Sequence, residues 1–274
     1  FDPGLNKVVP WAPYRTARLI PWIVERYQTA TAYSTAGVLD LLGERSRSAK
    51  VVEATWLEST VFLNRGDHFV ARSLPIEAQF SPAFGVVAAD FNGDGNEDVF
   101  LSQNFQAVDG DTSRYDAGRG LLLQGDGRGS FRSVPGEESG LKIYGEQRGA
   151  AVCDYDEDGR LDLVVTQNGA DTKLYRNTGA KPGLRVRMKG PATNPTGVGV
   201  VLRPISGATT GPAREVRAGG GYWSQDSPVQ VLGAIGRVSK IQVQWPRGGA
   251  MTVDVPPEAR EVTIDTSGKV VSSK

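Results

Sequence analysis

The chain is poor in the residues from which many functional sites are built. Among its 274 residues there is one cysteine, Cys153, and one histidine, His68. A single cysteine excludes an intramolecular disulfide and a cysteine-rich zinc site, and a single histidine excludes a metal site made of several imidazoles. Neither sign of charge is in excess, because 31 Lys and Arg balance 31 Asp and Glu. The zero net charge excludes the broad positive surface with which proteins bind nucleic acids or anionic membranes.

Long hydrophobic runs are also absent. No stretch approaches the roughly 20 apolar residues that cross a bilayer, so we expect no transmembrane segment. The first four residues lack the basic start and the apolar stretch of a secretory signal. If the protein is exported, we therefore expect this sequence to be a mature or trimmed chain.

Glycine and proline are abundant, with 34 and 16 residues. This favours many short strands joined by turns. Residues 1–50 differ from the rest of the chain, because residues 19–27 have helical spacing with Pro21 in the first turn. Residues 31–42 predict a second helix that stops at Gly43. The sequence therefore predicts a helical N-terminal segment ahead of a β-rich chain.

An internal repeat follows the helical segment. Residues 85–104 and 149–168 align without a gap at a constant offset of 64 residues. A strand-and-turn segment comes after each copy, at residues 121–127 and 174–179, and residues 61–67 repeat it a third time. Each unit thus predicts a strand, an acidic loop, a strand, a connection, a strand, a glycine turn and a strand. A four-stranded unit of this length is typical of a β-propeller blade.

The predicted fold class is mainly β, with three regions and a tail. The propeller blades occupy residues 51–182, and seven β-rich runs in residues 183–266 predict a small β-sandwich or barrel. Residues 267–274 are small and polar and are expected to fray. Closed propellers have about four to eight blades, whereas this chain holds two full units and part of a third. We expect a C-terminal fragment of a longer protein, with an open or oligomer-completed arrangement as the alternative.

The strongest chemical signal is the pair of acidic loops inside the repeats. Each loop has Asp at its first position, Asn or Asp at its third, Asp at its fifth and ninth, and Gly at its sixth. Carboxylates this close repel one another unless a cation offsets their charge, and Ca²⁺ takes about six to eight oxygen ligands. We predict two Ca²⁺ sites. The expected ligands are the side chains of Asp90, Asn92, Asp94 and Asp98 with the carbonyl of Asn96, and the side chains of Asp154, Asp156, Asp158 and Asp162 with the carbonyl of Arg160.

The acidic loops have two alternatives, an EF-hand loop and a hairpin turn without metal. An EF-hand loop needs a bidentate Glu at its twelfth position, where this chain has Leu101 and Val165, and it needs flanking helices. Hairpin turns without metal remain the alternative, since Asn-Gly and Asp-Gly pairs favour turns by themselves. Glu97 and Glu157 occupy even positions and are expected to point outward.

These residues resemble a known family. The segments ADFNGDGNEDV at residues 89–99 and DYDEDGRLDL at residues 154–163 look like FG-GAP/VCBS repeats, the calcium-loop blades of integrin-type propellers. The segment EVRAGGGYWSQDSP at residues 215–228, followed by VQWP at residues 243–246, is similar to the ASPIC/UnbV domain of proteins related to cartilage acidic protein. The resemblance implies a secreted, calcium-binding propeller of the bacterial type, and it brings no catalytic residues with it.

The expected function is therefore a non-catalytic interaction or adhesion module. We expect a secreted, periplasmic or cell-surface protein whose Ca²⁺ ions hold the blade hairpins, and whose ligand is an unidentified protein or glycan. The alternative is a carbohydrate-active enzyme that uses paired carboxylates. Its candidate acids are Asp109, Asp111, Asp116 and Glu146. A third possibility is that the C-terminal domain acts only as a cap on the last blade.

Three further features are expected to be structural. Cys153 lies in a predicted inner strand and is expected to be a buried small residue, whereas His68 is expected to be exposed in a turn. The glycine-rich segment at residues 219–223 is not followed by the Lys-Ser/Thr of a phosphate loop. It predicts a tight turn whose aromatic residues pack on the β domain.

Overall fold

The computed structural model describes residues 2–110, 112–234 and 236–274. Strands make up 36% of the chain and helices 12%, which confirms the mainly β class. The chain divides into two compact units, Phe1–Leu57 with Asp109–Thr112 and Glu58–Val108 with Ser113–Lys274. Within the described ranges no helix is long and apolar enough to cross a membrane.

The first unit is helical. Its helices are α1 (Tyr14–Ala17), α2 (Pro21–Arg26), α3 (Ala30–Ser34) and α4 (Val38–Leu42), and a 3₁₀ turn follows at Gly43–Arg47. Its small core comprises Ala17, Ile23, Tyr33, Ala36 and Leu41.

The helix predicted over residues 31–42 is divided in two. Thr29 caps α3 by accepting a hydrogen bond from the Ala32 N–H at 3.1 Å. Gly37 then adopts an extended conformation, and its N–H donates to the Asp40 carboxylate at 3.0 Å. This local bond starts a new helix. The apolar spacing that predicted one helix therefore continues across two short helices.

The repeat region forms three antiparallel sheets in a propeller-like arrangement. A hairpin of β1 (Thr60–Asn64) and β2 (Phe69–Ser73) comes first. The next sheet has the order β3-β4-β5-β6, and the last has the order β7-β8-β9. Their strands are β3 (Ala83–Ala89), β4 (Asp98–Gln103), β5 (Leu121–Gly125), β6 (Phe131–Val134), β7 (Glu146–Cys153), β8 (Asp162–Asn168) and β9 (Ala170–Tyr175), with a one-turn helix α5 (Gly136–Ser139) after β6.

The first full repeat therefore has the four strands predicted for a blade, and the second has three. After β9 the chain turns at Asn177 and runs to the next domain, so no fourth strand pairs with β9 in the described part of the chain. The two repeats still share details. A register shift near Gly85 recurs near Gly149, and the Ser102 and Thr166 hydroxyls accept the freed N–H groups at 2.6 and 2.9 Å.

Residues 184–273 form a two-sheet structure that we call the C-terminal sandwich. One sheet has the order β14-β10-β17-β18, and the other has β12-β11-β15-β16 with β13 also on β11. Residues from both sheets, including Val186, Leu202, Ile241 and Ile264, share one core. The strands are β10 (Leu184–Lys189), β11 (Val201–Ser206), β12 (Thr209–Thr210), β13 (Arg214–Glu215), β14 (Gln230–Leu232), β15 (Lys240–Gln244), β16 (Ala250–Asp254), β17 (Glu261–Asp265) and β18 (Val270–Ser273).

The expectation of a frayed tail at residues 267–274 is wrong. Strand β18 lies within this segment and pairs with β17. The Lys274 N–H also donates to the Glu261 carbonyl at 3.0 Å. Small polar residues are compatible with an edge strand, because main-chain hydrogen bonds hold it in place.

Candidate metal centres

Both acidic loops connect the first two strands of their sheets. In each loop the first Asp organises the turn. Asp90 Oδ2 accepts the Gly95 N–H, and Asp154 Oδ2 accepts the Gly159 N–H, both at 2.8 Å. These glycines have φ values of +89° and +82°, a conformation that other residues rarely adopt.

The last Asp of each loop ties the loop to the end of the third strand of its sheet or to the turn just after it. Asp98 accepts the Phe91 N–H at 3.0 Å and the Gly125 N–H at 2.9 Å. Asp162 accepts the Tyr155 N–H at 3.1 Å and the Asn177 N–H at 2.7 Å. Both carboxylates are buried. The repeat predicted from sequence therefore extends to equivalent hydrogen bonds.

In the first loop the middle positions bond to one another. Asn92 Oδ1 accepts the Asp94 N–H at 2.9 Å, and Asn92 Nδ2 donates to Asp94 Oδ2 at 3.0 Å. Asp94 Oδ1 accepts the Asn96 N–H at 2.8 Å. The predicted ligands Asp90, Asn92, Asp94 and Asp98 are thus connected through one tight loop.

The second loop brings three carboxylates together. One oxygen each of Asp154, Asp156 and Asp162 lies within 4.8 Å of the others. Asp156 Oδ1 is buried and has no hydrogen-bond partner. Closely spaced carboxylate oxygens with one unpartnered atom are the donor set that Ca²⁺ binds, so these residues fit the ion. The first loop has Asn92 where the second has Asp156, which leaves it with fewer carboxylates.

Asp158, predicted as a fourth side-chain ligand, lies outside that group of three. Its Oδ2 forms an ion pair with the Arg160 side chain at 2.8 Å, and its Oδ1 accepts the Arg160 N–H at 3.0 Å. The predicted contribution of Arg160 was a main-chain carbonyl. The structure adds a side-chain role, since Arg160 partly neutralises its neighbour.

Burial dominates the electrostatics of both loops. It raises the pKa of Asp98 to about 6, even though the Gly125 and Phe91 N–H groups act to lower it. Burial also raises the pKa of Asp90 and of Asp162. Each of these carboxylates lies in a place where its negative charge is unfavourable, and a divalent cation would offset that charge.

A buried arginine beside the second loop was missed in the sequence. Arg185 on β10 is 3% exposed, and its Nη1 donates to Asp154 Oδ2. Its Nε donates to Glu261 Oε2 at 2.7 Å. In β10 the arginines alternate with apolar residues, a pattern that normally places charges in solvent. In the structure, the polar face of β10 contacts the acidic loop. The periodicity of one strand does not indicate which part of the protein covers that face.

The C-terminal sandwich can also be compared with known proteins. Residues 190–271 match the family model ASPIC and UnbV. A search of curated proteins found no match. The ASPIC/UnbV segment begins just after β10, and it confirms the resemblance stated for this part of the chain. The likeness of the acidic loops to FG-GAP/VCBS repeats stays a prediction.

The ASPIC/UnbV segment also contacts the first loop. Arg214 on β13 forms an ion pair with Glu97 at 3.0 Å, and burial raises the pKa of Glu97. Glu97 is therefore not fully exposed as expected: it contacts the C-terminal sandwich, and 30% of its side chain stays accessible. Glu157 is exposed as expected, with 54% of its side chain accessible.

Of the four loop acids proposed for catalysis, three lie in the described residues and Asp111 lies outside them. Asp109 accepts a hydrogen bond from Thr112 at 3.1 Å, and Asp116 pairs with Arg114. Burial acts to raise the pKa of Glu146, but hydrogen bonds from Asn168 and Arg148 outweigh it and lower that pKa. Each described acid thus has a polar partner.

The remaining predicted features have mixed outcomes. His68 is exposed as expected, and Cys153 is half-buried rather than fully buried. Desolvation raises the pKa of the Cys153 thiol, which disfavours the reactive thiolate. Tyr222 packs against Phe84 of blade strand β3, with ring centroids 6.0 Å apart, rather than on the C-terminal domain as predicted, and Trp223 is 91% exposed.

Proposed function

We propose that residues 51–182 form FG-GAP/VCBS-type blades that bind Ca²⁺ in both acidic loops. The observation that carries this proposal is the second loop, where three carboxylates converge and one buried oxygen of Asp156 has no partner. The matching hydrogen bonds of the first loop extend the proposal to Asp90, Asn92, Asp94 and Asp98. Ca²⁺ would supply the positive charge that these buried carboxylates lack.

The role proposed for the ion is structural. Asp98 and Asp162 link each loop to the end of the third strand of its sheet or to the turn just after it, so neutralising their charge favours the folded hairpin. We further propose an exported, non-catalytic module that recognises a protein or glycan in a secreted, periplasmic or cell-surface location. Extracellular Ca²⁺ suits sites with dissociation constants on the order of 10⁻⁴–10⁻³ M.

Of the acids proposed for a glycosidase, Glu146 does not fit the role of general acid. A glycosidase needs a general acid whose pKa is raised. The pKa of Glu146 is lowered instead, and its carboxylate is held by Arg148 and Asn168.

Calorimetric titration with Ca²⁺ tests the proposal. The wild-type chain is expected to show two binding events, of which Asp94→Ala removes one and Asp156→Ala removes the other, because alanine supplies no ligand oxygen. Asp254→Asn is the control, because this exposed residue pairs with Lys240 on the C-terminal sandwich and lies outside both loops. The absence of heat and of any shift in melting temperature in the wild-type protein would refute Ca²⁺ binding and leave plain hairpin turns.

A further inference from the structure

The two acidic loops share a sequence pattern but differ in their basic neighbours. In the second loop, Asp154 pairs with Arg185, Asp156 with Arg176, and Asp158 with Arg160. Among the described residues, no lysine or arginine lies within ion-pairing distance of Asp90, Asp94 or Asp98 in the first loop. The nearest basic contact there is Arg214, which pairs with Glu97, a residue outside the predicted ligand set.

Arg185 differs from the other two arginines because it is buried. Its side chain is 4% exposed, and that of Asp154 is 1% exposed. Besides the carboxylate, Arg185 Nη1 contacts the Asp154 carbonyl at 3.3 Å. Arg176 is 55% exposed, so solvent and salt screen its charge. Water screens the buried Arg185–Asp154 pair far less.

We propose that Arg185 is an affinity-determining residue of the second loop. Its guanidinium contacts a ligand carboxylate directly, whereas the nearest arginine of the first loop, Arg214, contacts Glu97 and acts on Asp90 only at longer range. The second loop therefore binds Ca²⁺ more weakly than the first, and its occupancy is coupled to the sheet that carries Arg185. This inference rests on the proposed function, in which both loops bind Ca²⁺.

Glu261 sets how strongly Arg185 acts on the loop. Its carboxylate accepts the Arg185 Nε at 2.7 Å and the Arg187 Nε at 2.8 Å. Glu261 therefore offsets part of the Arg185 charge. Removing the charge of Glu261 strengthens the positive field at Asp154, and removing the charge of Arg185 weakens it. The two substitutions must change Ca²⁺ affinity in opposite directions.

The test is Ca²⁺ calorimetry on the full chain carrying Asp94→Ala, so that only the second loop titrates. Adding Arg185→Gln is expected to tighten the remaining site about tenfold, since a buried charge near the cation is removed. Glu261→Gln is expected to weaken it. Arg185→Lys keeps the charge and should stay near the parent affinity. The matched control is Arg187→Gln, because Arg187 also binds Glu261 but does not touch Asp154.

Melting temperature gives a second readout. Because coupling is reciprocal, Arg185→Gln should lower the melting temperature more in chelator than in saturating Ca²⁺. Arg187→Gln should lower the melting temperature by similar amounts in chelator and in saturating Ca²⁺.

An affinity that Arg185→Gln leaves unchanged or weakens would overturn the inference while Ca²⁺ binding itself stands. If Arg185→Gln does not fold, the direction of the Glu261→Gln change decides, and tighter binding in that variant overturns the inference. If no variant and no wild-type loop binds Ca²⁺, the proposed function fails and the inference fails with it.

Discussion

At the residue scale, Glu146 and Arg148 form a largely buried ion pair near the start of β7. Their side chains are 7% and 17% exposed, and Asn168 donates to the second Glu146 oxygen at 3.0 Å. Arg148 also stacks over the Phe84 ring, 3.9 Å from its centroid. The carboxylate is therefore held ionised by two donors in a place with little water.

This pair predicts a defined acid sensitivity. The hydrogen bonds lower the folded-state pKa of Glu146 from its ordinary value of 4.5 despite the opposing effect of burial. A lowered pKa contributes stability above the unfolded pKa, and that contribution is lost as pH falls through the lower folded pKa. Glu146→Gln should lower the free energy of unfolding by about 2 kcal/mol at pH 7.

Urea unfolding of both proteins between pH 7 and pH 3 measures this difference. The gap between wild type and variant should narrow once the pH falls below the ordinary pKa of the carboxyl. A gap that stays constant across the whole range would contradict the assignment. Glu215→Gln, at an exposed ion pair with Arg217, is the control and should change stability little.

At the element scale, the loops are positioned by close main-chain contacts as well as by carboxylates. Gly125 ends β5, and a Cβ atom built on it would lie 2.1 Å from the Glu97 carbonyl oxygen. Both groups belong to backbone that cannot rotate away. The end of the third strand therefore has to be glycine for the acidic loop to lie against it.

Gly125→Ala is expected to destabilise the protein by about 3 kcal/mol or more, because the backbone must shift to avoid the clash. Gly169→Ala is the matched comparison. It has a φ of +74° and no atom within 4 Å of the added Cβ, so only conformational strain of about 1 kcal/mol is expected. Thermal and urea unfolding of the two variants measures whether Gly125→Ala loses more stability than Gly169→Ala. Equal losses would show that packing against Glu97 is not what requires the glycine.

The elements themselves were predictable to differing degrees. The first blade follows from the internal repeat and its turn residues, and Pro21 at the start of α2 is a local signal. The break at Gly37 depends on a single bond to Asp40, which apolar spacing does not contain. Strand β18 is held by main-chain pairing with β17, and its only apolar pair, Val270 and Val271, is too short a run among small polar residues to predict a strand.

The sequence predicted the carboxylates of the candidate site but not the arginine side chains that contact it. The carboxylates from Asp90 to Asp98 and from Asp154 to Asp162 are close in sequence, so their spacing alone predicts that they share a site. Arg185 and Arg214 reach the loops from strands far along the chain. Such contacts depend on how the C-terminal sandwich docks on the repeats, and no local pattern encodes that.

At the scale of the whole molecule, the repeats and the C-terminal sandwich share buried surface. Val231 of β14 is 5% exposed and belongs to the same core cluster as Val87, Val152 and Leu163 of the blades. Main-chain bonds add to this contact, since the Lys181 N–H donates to the Asn92 carbonyl and the Gly183 N–H to the Gly159 carbonyl. The C-terminal sandwich therefore packs on the blades through a shared cluster, in addition to the core of its own.

A chain that ends at residue 182 is consequently expected to lose cooperative folding of the blades. Removing the sandwich exposes Val152 and leaves Asp154 without the Arg185 guanidinium. Calorimetry should show one transition for this unit in the full chain and a broad or absent transition in the truncated one. Unchanged melting of the blades after truncation would instead identify the sandwich as an independent binding domain.

The three-stranded second sheet has a consequence for behaviour in concentrated solution. Strand β9 is the outermost strand of that sheet, and residues 170–174 along it are exposed. An open strand edge is a template for pairing with another chain, and charged side chains such as that of Lys173 oppose such pairing. Self-association through β9 should therefore be opposed by the two exposed charges of this strand, Asp171 and Lys173, and substitutions that remove both charges should favour it.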